Sequence, residues 1–227
     1  MEQKQFNQAL LEFLQDSPTP FHATEQISNR LGEQGFNRLN EEDSWDLKPG
    51  SYFVTRNQSS IIGFTIGKQP LDETGIRMIG AHTDSPCLKV KPSPDISDHT
   101  YGQLGVEVYG GALLNPWFDR DLSIAGRVTL EDESGAISNC LVDFKRPIAT
   151  IPSLAIHLDR EANKKRSINP QTDIPPIINQ SGSPLTALLE NQIELQHGKI
   201  NLQQVLSWDL CLYDPQAPAI IGHDEDF

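Results

Sequence analysis

The strongest indication of this chain's architecture is the run IRMIGAHTDSP at residues 76–86. Its apolar beginning, followed by a glycine and a polar cluster, predicts a buried strand that ends in a loop. Open α/β sheets place their chemistry just past the carboxyl ends of such strands. His82 and Asp84 lie at that point, where an imidazole can hold a metal and a carboxylate can orient it. The alternative interpretation is a loop histidine paired with an acid and without a catalytic role.

Outward from this run, apolar periodicity and turn-forming residues predict the remaining elements. Residues 91–100, rich in proline and polar side chains, predict a crossing between substructures, and residues 161–176 predict a mobile loop. Alternating α/β domains continue for several more elements, so the pattern indicates an incomplete α/β domain with a β-rich insertion. The predicted helices cover residues 3–15, 24–31 and 184–196, and the predicted strands cover residues 51–56, 60–67, 105–109, 125–130, 137–144 and 208–213.

Composition and charge exclude several classes of function. The 227 residues carry 18 Lys and Arg against 31 Asp and Glu, a formal net charge of -13. Such a surface repels phosphate backbones, which argues against nucleic acid and anionic membranes as partners. No window of 18 or more apolar residues predicts a membrane span. The chain begins without a basic and then apolar signal, so we expect a cytoplasmic protein.

The cysteines do not predict a metal site. Cys87, Cys140 and Cys211 are odd in number, far apart in sequence and in no CxxC pair. They are interpreted as thiols of a reducing compartment, and a zinc–thiolate site is not expected.

Several runs together resemble one family of enzymes, the M18 metallopeptidases or aspartyl aminopeptidases. The runs occur in the family's order and span essentially the whole chain, which makes the resemblance specific. They are SPTPFH at residues 17–22, GAHTDSP at 80–86, NPWFDRDL at 115–122, AGR at 125–127, IPSLAIHL at 151–158 and LYD at 212–214.

The resemblance implies an α/β fold of the zinc-exopeptidase sandwich type, incomplete here, with an inserted β-rich oligomerisation domain. On that basis residues 1–92 begin the catalytic domain, residues 93–206 form the insert, and residues 207–227 return a strand to the catalytic sheet. Peptide substrates and a homo-oligomer are the implied partners, and acidic N-terminal residues, Asp or Glu, are the implied preference.

The resemblance also assigns individual residues. His82 would be a zinc ligand, and Asp84 the catalytic-site carboxylate that orients its imidazole. His157 would contact substrate in a neighbouring subunit's active site. The charged residues 119–121 are interpreted instead as structural ion pairs, because buried charges must be paired.

The expected chemistry needs two zinc ions and a glutamate base, which together deliver a water to the peptide carbonyl. Only one implied metal ligand, His82, occurs in these 227 residues, whereas a zinc site needs at least three. We therefore expect a zinc aminopeptidase by descent that is inactive as this chain alone, being either a truncated product or one part that a second chain carrying the missing ligands completes. The alternatives are a non-catalytic oligomerisation module and a truncated remnant of the peptidase.

Overall fold

The computed structural model describes residues 2–98, 101–180, 182–198, 202–224 and 227. These residues form a mixed α/β protein with two separate sheets. The chain divides into two compact units, which we call unit 1 (Met1–Ser85 with Pro218–Phe227) and unit 2 (Pro86–Ala217). The roles assigned above to residues 1–92, 93–206 and 207–227 stay predictions.

Unit 1 begins with two helices, α1 (Gln3–Gln15) and α2 (Pro20–Glu33). The periodicity predicted both, and α2 begins earlier than expected because Thr19 caps it and proline fits its first turn. A three-stranded sheet follows in the order β1 (Asn37–Leu39), β2 (Gly50–Arg56) and β3 (Ser60–Ile66). β1 runs parallel to β2, and β2 pairs antiparallel with β3.

The segment that leads to His82 is not the predicted buried strand. After the short helix α3 (Leu71–Thr74) the chain has no regular element until residue 87. Ile76, Met78 and Ile79 are 74%, 85% and 101% exposed. A strand is held by hydrogen bonds to neighbouring strands, and this run pairs with none in the part of the chain that the structure describes. The prediction of a buried strand before His82, which rested on hydrophobicity alone, was therefore wrong.

Unit 2 is built on a six-stranded antiparallel sheet in the order β7-β6-β9-β4-β5-β8. One helix, α4 (Leu185–His197), packs on it. The strands are β4 (Cys87–Asp98), β5 (Tyr101–Tyr109), β6 (Ser123–Asp132), β7 (Ile137–Asp143), β8 (Ile177–Asn179) and β9 (Leu202–Tyr213).

The predicted crossing at residues 91–100 is for the most part a continuation of β4, while residues 99 and 100 lie outside the described residues. The pairing of β4 with β5 shifts register between Val90 and Asp95. Pro92 and Pro94 lie in that irregularity, where a strand tolerates residues that cannot donate to the ladder. The prolines therefore mark a bulge within a strand, and the sequence pattern did not distinguish a bulge from a loop.

The hydrophobic core lies in unit 2. Every large side chain that the structure describes as fully buried belongs to this unit, including Leu88 of β4, Ile124 of β6 and Leu210 of β9. From α4, Leu185, Leu189 and Ile193 enter the same cluster at a spacing of four residues, which places them on one face of the helix. None of the helices among the described residues has the length and apolar character needed to cross a membrane.

Candidate functional site

His82 and Asp84 lie in unit 1 on the irregular segment that precedes β4. The segment is attached to the β2–β3 hairpin, because the Thr83 hydroxyl donates a 2.7 Å hydrogen bond to the Ser59 carbonyl. The His82 side chain is 80% exposed and that of Asp84 46%. The two candidate residues are therefore held in place locally and open to solvent.

One ring nitrogen of His82 has a defined partner. Nδ1 lies 2.6 Å from the backbone oxygen of Asp84. A carbonyl can only accept, so Nδ1 carries the proton and the neutral ring presents its lone pair on Nε2. The Asp84 carboxylate lies further away, with Oδ1 3.8 Å from Nδ1. The backbone carbonyl of Asp84 thus selects the tautomer with the proton on Nδ1.

A neutral imidazole with Nδ1–H bound to a carbonyl and Nε2 available is the form that binds zinc. His82 therefore fits one position of a zinc site. However, the described residues bring no three His, Cys, Asp or Glu side chains together as a metal-binding group. Zinc requires at least three protein ligands, so the described residues do not by themselves complete a coordination sphere.

His157 lies in unit 2, within a turn closed by a 2.8 Å hydrogen bond from the Leu158 amide to the Ala155 carbonyl. Its side chain is exposed, as are those of its apolar neighbours Leu154, Ile156 and Leu158. The structure places His157 and His82 in different units. Its expected contact with substrate stays a prediction.

Asp119 anchors the chain just before this turn. Its carboxylate accepts a 2.8 Å hydrogen bond from the Ser153 amide, and its own amide donates 2.9 Å to the Ile151 carbonyl. Hydrogen bonds from Ser153 hold the pKa of Asp119 below its usual range. The neighbouring Arg120 pairs with Asp214 at the end of β9. Arg120 thus forms an ion pair as expected, whereas Asp119 is held by backbone hydrogen bonds, and residues 119–121 are exposed and not buried.

Arg166 is a further candidate functional residue, which the sequence analysis did not single out. Its guanidinium lies 3.9 Å from the centre of the Phe118 ring and donates to Ser153 Oγ at 3.3 Å. It borders a cavity of about 330 Å³ lined also by Asp159 and Asp173. Sequence analysis assigned this segment to a mobile loop, and the only available signal was a short basic run, KKR at residues 164–166, in an acidic chain.

Comparison with known proteins places these motifs in one family. The family described as aminopeptidase I zinc metalloprotease (M18) matches residues 13–227. A probable M18 family aminopeptidase 2 of Ectopseudomonas mendocina (strain ymp) is 54% identical over 225 residues, which cover 97% of this chain and 52% of that protein. The chain thus spans about half the length of the curated relatives it matches.

Solved structures agree with the sequence match. A chain of the Ape4 and Nbr1 complex superposes with a TM-score of 0.88 at 39% identity, over 95% of this chain and 45% of that one. A chain of the S. cerevisiae mApe1 dodecamer superposes with a TM-score of 0.78 at 27% identity, over 96% of this chain and 50% of that chain. The predicted family is therefore confirmed, and this chain belongs to the M18 family of aminopeptidases.

Proposed function

We propose that this chain supplies the first part of a zinc aminopeptidase that removes N-terminal Asp or Glu residues from peptides. In this proposal His82 is one zinc ligand, Asp84 orients it, and His157 contacts substrate. The remaining zinc ligands come from polypeptide corresponding to the other half of the family members. The isolated chain is then inactive.

The observation that carries the proposal is the state of the His82 ring. Its Nδ1 proton is held by the Asp84 carbonyl at 2.6 Å, which leaves Nε2 as the basic nitrogen in an exposed side chain. Here the tautomer is the one that a metal ligand requires.

The exposed apolar side chains of unit 1 support the proposal that additional polypeptide covers this unit. Ile62, Ile76, Met78 and Ile79 are exposed, and α1 buries none of its residues. Exposed apolar side chains are costly in water, and surfaces rich in them tend to associate. The curated relatives are about twice as long as this chain, so the additional half has the size to cover it.

We also propose that the working form is a homo-oligomer. One structural relative forms a dodecamer, and the exposed apolar residues Leu154, Ile156 and Leu158 flank His157 in sequence. A neighbouring subunit that covered this turn would bury them and bring His157 to a second active site. The localisation we propose is cytoplasmic, in keeping with three cysteines that form no disulfide.

Zinc titration by calorimetry tests the proposal. The sample is this chain, alone and mixed with the remaining half of the Ectopseudomonas mendocina relative. We expect the chain alone neither to bind two zinc ions tightly nor to hydrolyse peptides with N-terminal Asp. The mixture should do both. His82→Ala should abolish activity of the mixture, and Asp84→Asn should lower zinc affinity about 10–100-fold.

The matched control is His157→Ala, which removes an imidazole from unit 2. It should leave zinc affinity unchanged and lower only the hydrolysis of substrate. Tight binding of two zinc ions and hydrolysis by the chain alone would contradict the proposal. Unchanged zinc binding by the His82→Ala mixture would contradict the role of His82. If this chain forms stable oligomers, and its mixture with the other half neither binds zinc nor hydrolyses peptides, a non-catalytic assembly module is favoured.

A further inference from the structure

Two of the three thiols face each other inside unit 2. Sγ of Cys87, on β4, lies 3.2 Å from Sγ of Cys211, on β9. Both residues are buried and neither is in a disulfide. They are 124 positions apart in sequence, so no spacing rule applied to the chain indicates the pair. The antiparallel pairing of β4 with β9 brings them together.

The register explains why the two side chains point to the same face. Lys89 pairs with Cys211 across the two strands, and Cys87 lies two residues before Lys89. Side chains two positions apart in a strand share a face, so Cys87 and Cys211 are diagonal neighbours on one side of the sheet. A disulfide needs its sulfur atoms at about 2.05 Å, so they must approach by roughly 1 Å.

We propose that Cys87 and Cys211 form a reversible intramolecular disulfide when the protein meets a peroxide. One of the two thiolates attacks one peroxide oxygen, the O–O bond breaks, and the products are a sulfenic acid and water. The other cysteine then attacks that sulfur, the S–O bond breaks, and a second water leaves. In total two thiols and one hydrogen peroxide give one disulfide and two waters.

The surroundings of the pair act on the acidity of its thiols. Contact with Cys87 and burial raise the pKa of the Cys211 thiol; either thiol can attack the peroxide first, and the products are the same. Lys89 lies on the same face, where its positive charge favours a nearby thiolate, whereas the Asp209 carboxylate 2.8 Å from its ammonium opposes one. Burial excludes large oxidants, whereas hydrogen peroxide is small and uncharged.

The third cysteine cannot take part. Cys140 is on β7, which is separated from β9 by β6. Two strand spacings amount to roughly 10 Å, well beyond the reach of a disulfide. Burial contributes to a raised pKa of both Cys140 and Cys211, so the distance to a partner sulfur is what distinguishes Cys140. Cys140 is therefore an internal reference for thiols that lack a nearby partner.

The bond would join the first and last strands of unit 2. Cys87 is the first residue of β4, and Cys211 is the third residue from the carboxyl end of β9. A diagonal pair has to distort the sheet slightly, and strained disulfides are readily reduced. The cross-link would therefore form under oxidative stress and reverse in an ordinary reducing compartment.

Peptide mapping of the whole chain tests this inference without any variant. The protein is treated with hydrogen peroxide, alkylated, digested without reductant and analysed by mass spectrometry. We expect a cross-linked pair of peptides containing Cys87 and Cys211, about 2 Da lighter than the two thiol peptides together. Dithiothreitol should restore both thiols. The thiol titre in denaturant should fall from three to one.

Three variants show which sulfurs are involved. Cys140→Ser should leave the cross-link intact, whereas Cys87→Ser and Cys211→Ser should each abolish it. Because the wild-type map is decisive by itself, a variant that fails to fold does not affect the outcome. Three thiols that remain alkylatable, separate sulfinic acids at Cys87 and Cys211, or a disulfide containing Cys140 would each overturn the inference.

Discussion

Asp143 makes contacts with three separate segments of unit 2. It is buried, and its Oδ1 accepts from the Tyr213 hydroxyl at 2.5 Å and from the Lys145 amide at 3.0 Å. Its backbone carbonyl accepts a 3.0 Å hydrogen bond from Gln192 of α4. A buried carboxylate is stable only when donors surround it. Asp143 therefore connects β7, β9 and α4.

Tyr213→Phe should lower the free energy of unfolding by about 1–2 kcal/mol, because it removes one donor to a buried carboxylate. Chemical denaturation at neutral pH measures the change. The control is Tyr101→Phe, which alters an exposed tyrosine of β5 and should cost less than about 0.5 kcal/mol. Equal stability of the Tyr213→Phe protein and the wild type would show that Asp143 is satisfied without this hydroxyl.

The raised pKa of the same tyrosine predicts that the free energy of unfolding falls at alkaline pH. Burial and the Asp143 carboxylate raise the pKa of Tyr213 above its ordinary value of 10.0. The folded state therefore keeps a proton that the unfolded chain loses above pH about 10. This contribution to stability is complete below that pH and is lost as the pH rises towards the raised pKa. Denaturation between pH 9 and about 12 should show a steeper loss in the wild type than in Tyr213→Phe.

Gly126 of β6 is fixed by a close approach of the neighbouring backbone. A Cβ at this position would lie 2.1 Å from the Asp209 carbonyl oxygen and 2.8 Å from Leu210 Cα on β9. Backbone atoms of a paired strand cannot move away cheaply. Gly126→Ala should therefore cost more than about 3 kcal/mol, measured by thermal or chemical unfolding. Gly32→Ala, in α2 with nothing within 4 Å, is the control and should be neutral or stabilising by up to about 1 kcal/mol.

At the scale of elements, α4 shows how an apolar pattern becomes stability. Leu189 is fully buried in the core of unit 2, whereas Leu195 of the same helix is 78% exposed. Leu189→Ala should therefore cost about 2–5 kcal/mol, because it removes buried methyl groups and leaves a cavity. Leu195→Ala should change the stability by less than about 0.5 kcal/mol. Similar losses for the two variants, measured by denaturant unfolding, would contradict the assigned face of α4.

At the scale of the whole molecule, the two units differ in how well they bury apolar side chains. Unit 2 holds the fully buried large residues among those described, and unit 1 leaves Ile76, Met78 and Ile79 in solvent. The net charge of -13 opposes self-association over long range. At short range exposed apolar runs favour it. Association is therefore expected to increase when salt screens the charges.

Ile79→Ser should reduce aggregation in high salt while changing the free energy of unfolding by less than about 0.5 kcal/mol, because Ile79 makes little contact in the folded chain. Light scattering against salt concentration and chemical denaturation measure the two effects. Leu113→Ser is the matched control, since Leu113 is also strongly exposed but lies in unit 2. An equal effect of both variants would show that residues 76–79 have no special role in association.

Local patterns predicted the parts of the fold that depend on neighbours in sequence. Apolar spacing predicted α1, and the gap between the predicted strands at residues 51–56 and 60–67 is the turn that contains Asn57 and Gln58, both with positive φ. The prediction failed at residues 76–79, because a strand depends on partners elsewhere in the chain. It failed similarly at Pro92, where a bulge allowed β4 to continue.

For the candidate site, the order of short motifs was enough to predict the M18 family and to single out His82, Asp84 and His157, because a motif is a property of adjacent residues. The protonated nitrogen of His82, the partners of Asp119 and Arg120, and the approach of Cys87 to Cys211 came from the folded chain. Each depends on distances between backbone segments that sequence spacing does not specify. Such distances are set by strand register and packing, which are satisfied by the chain as a whole.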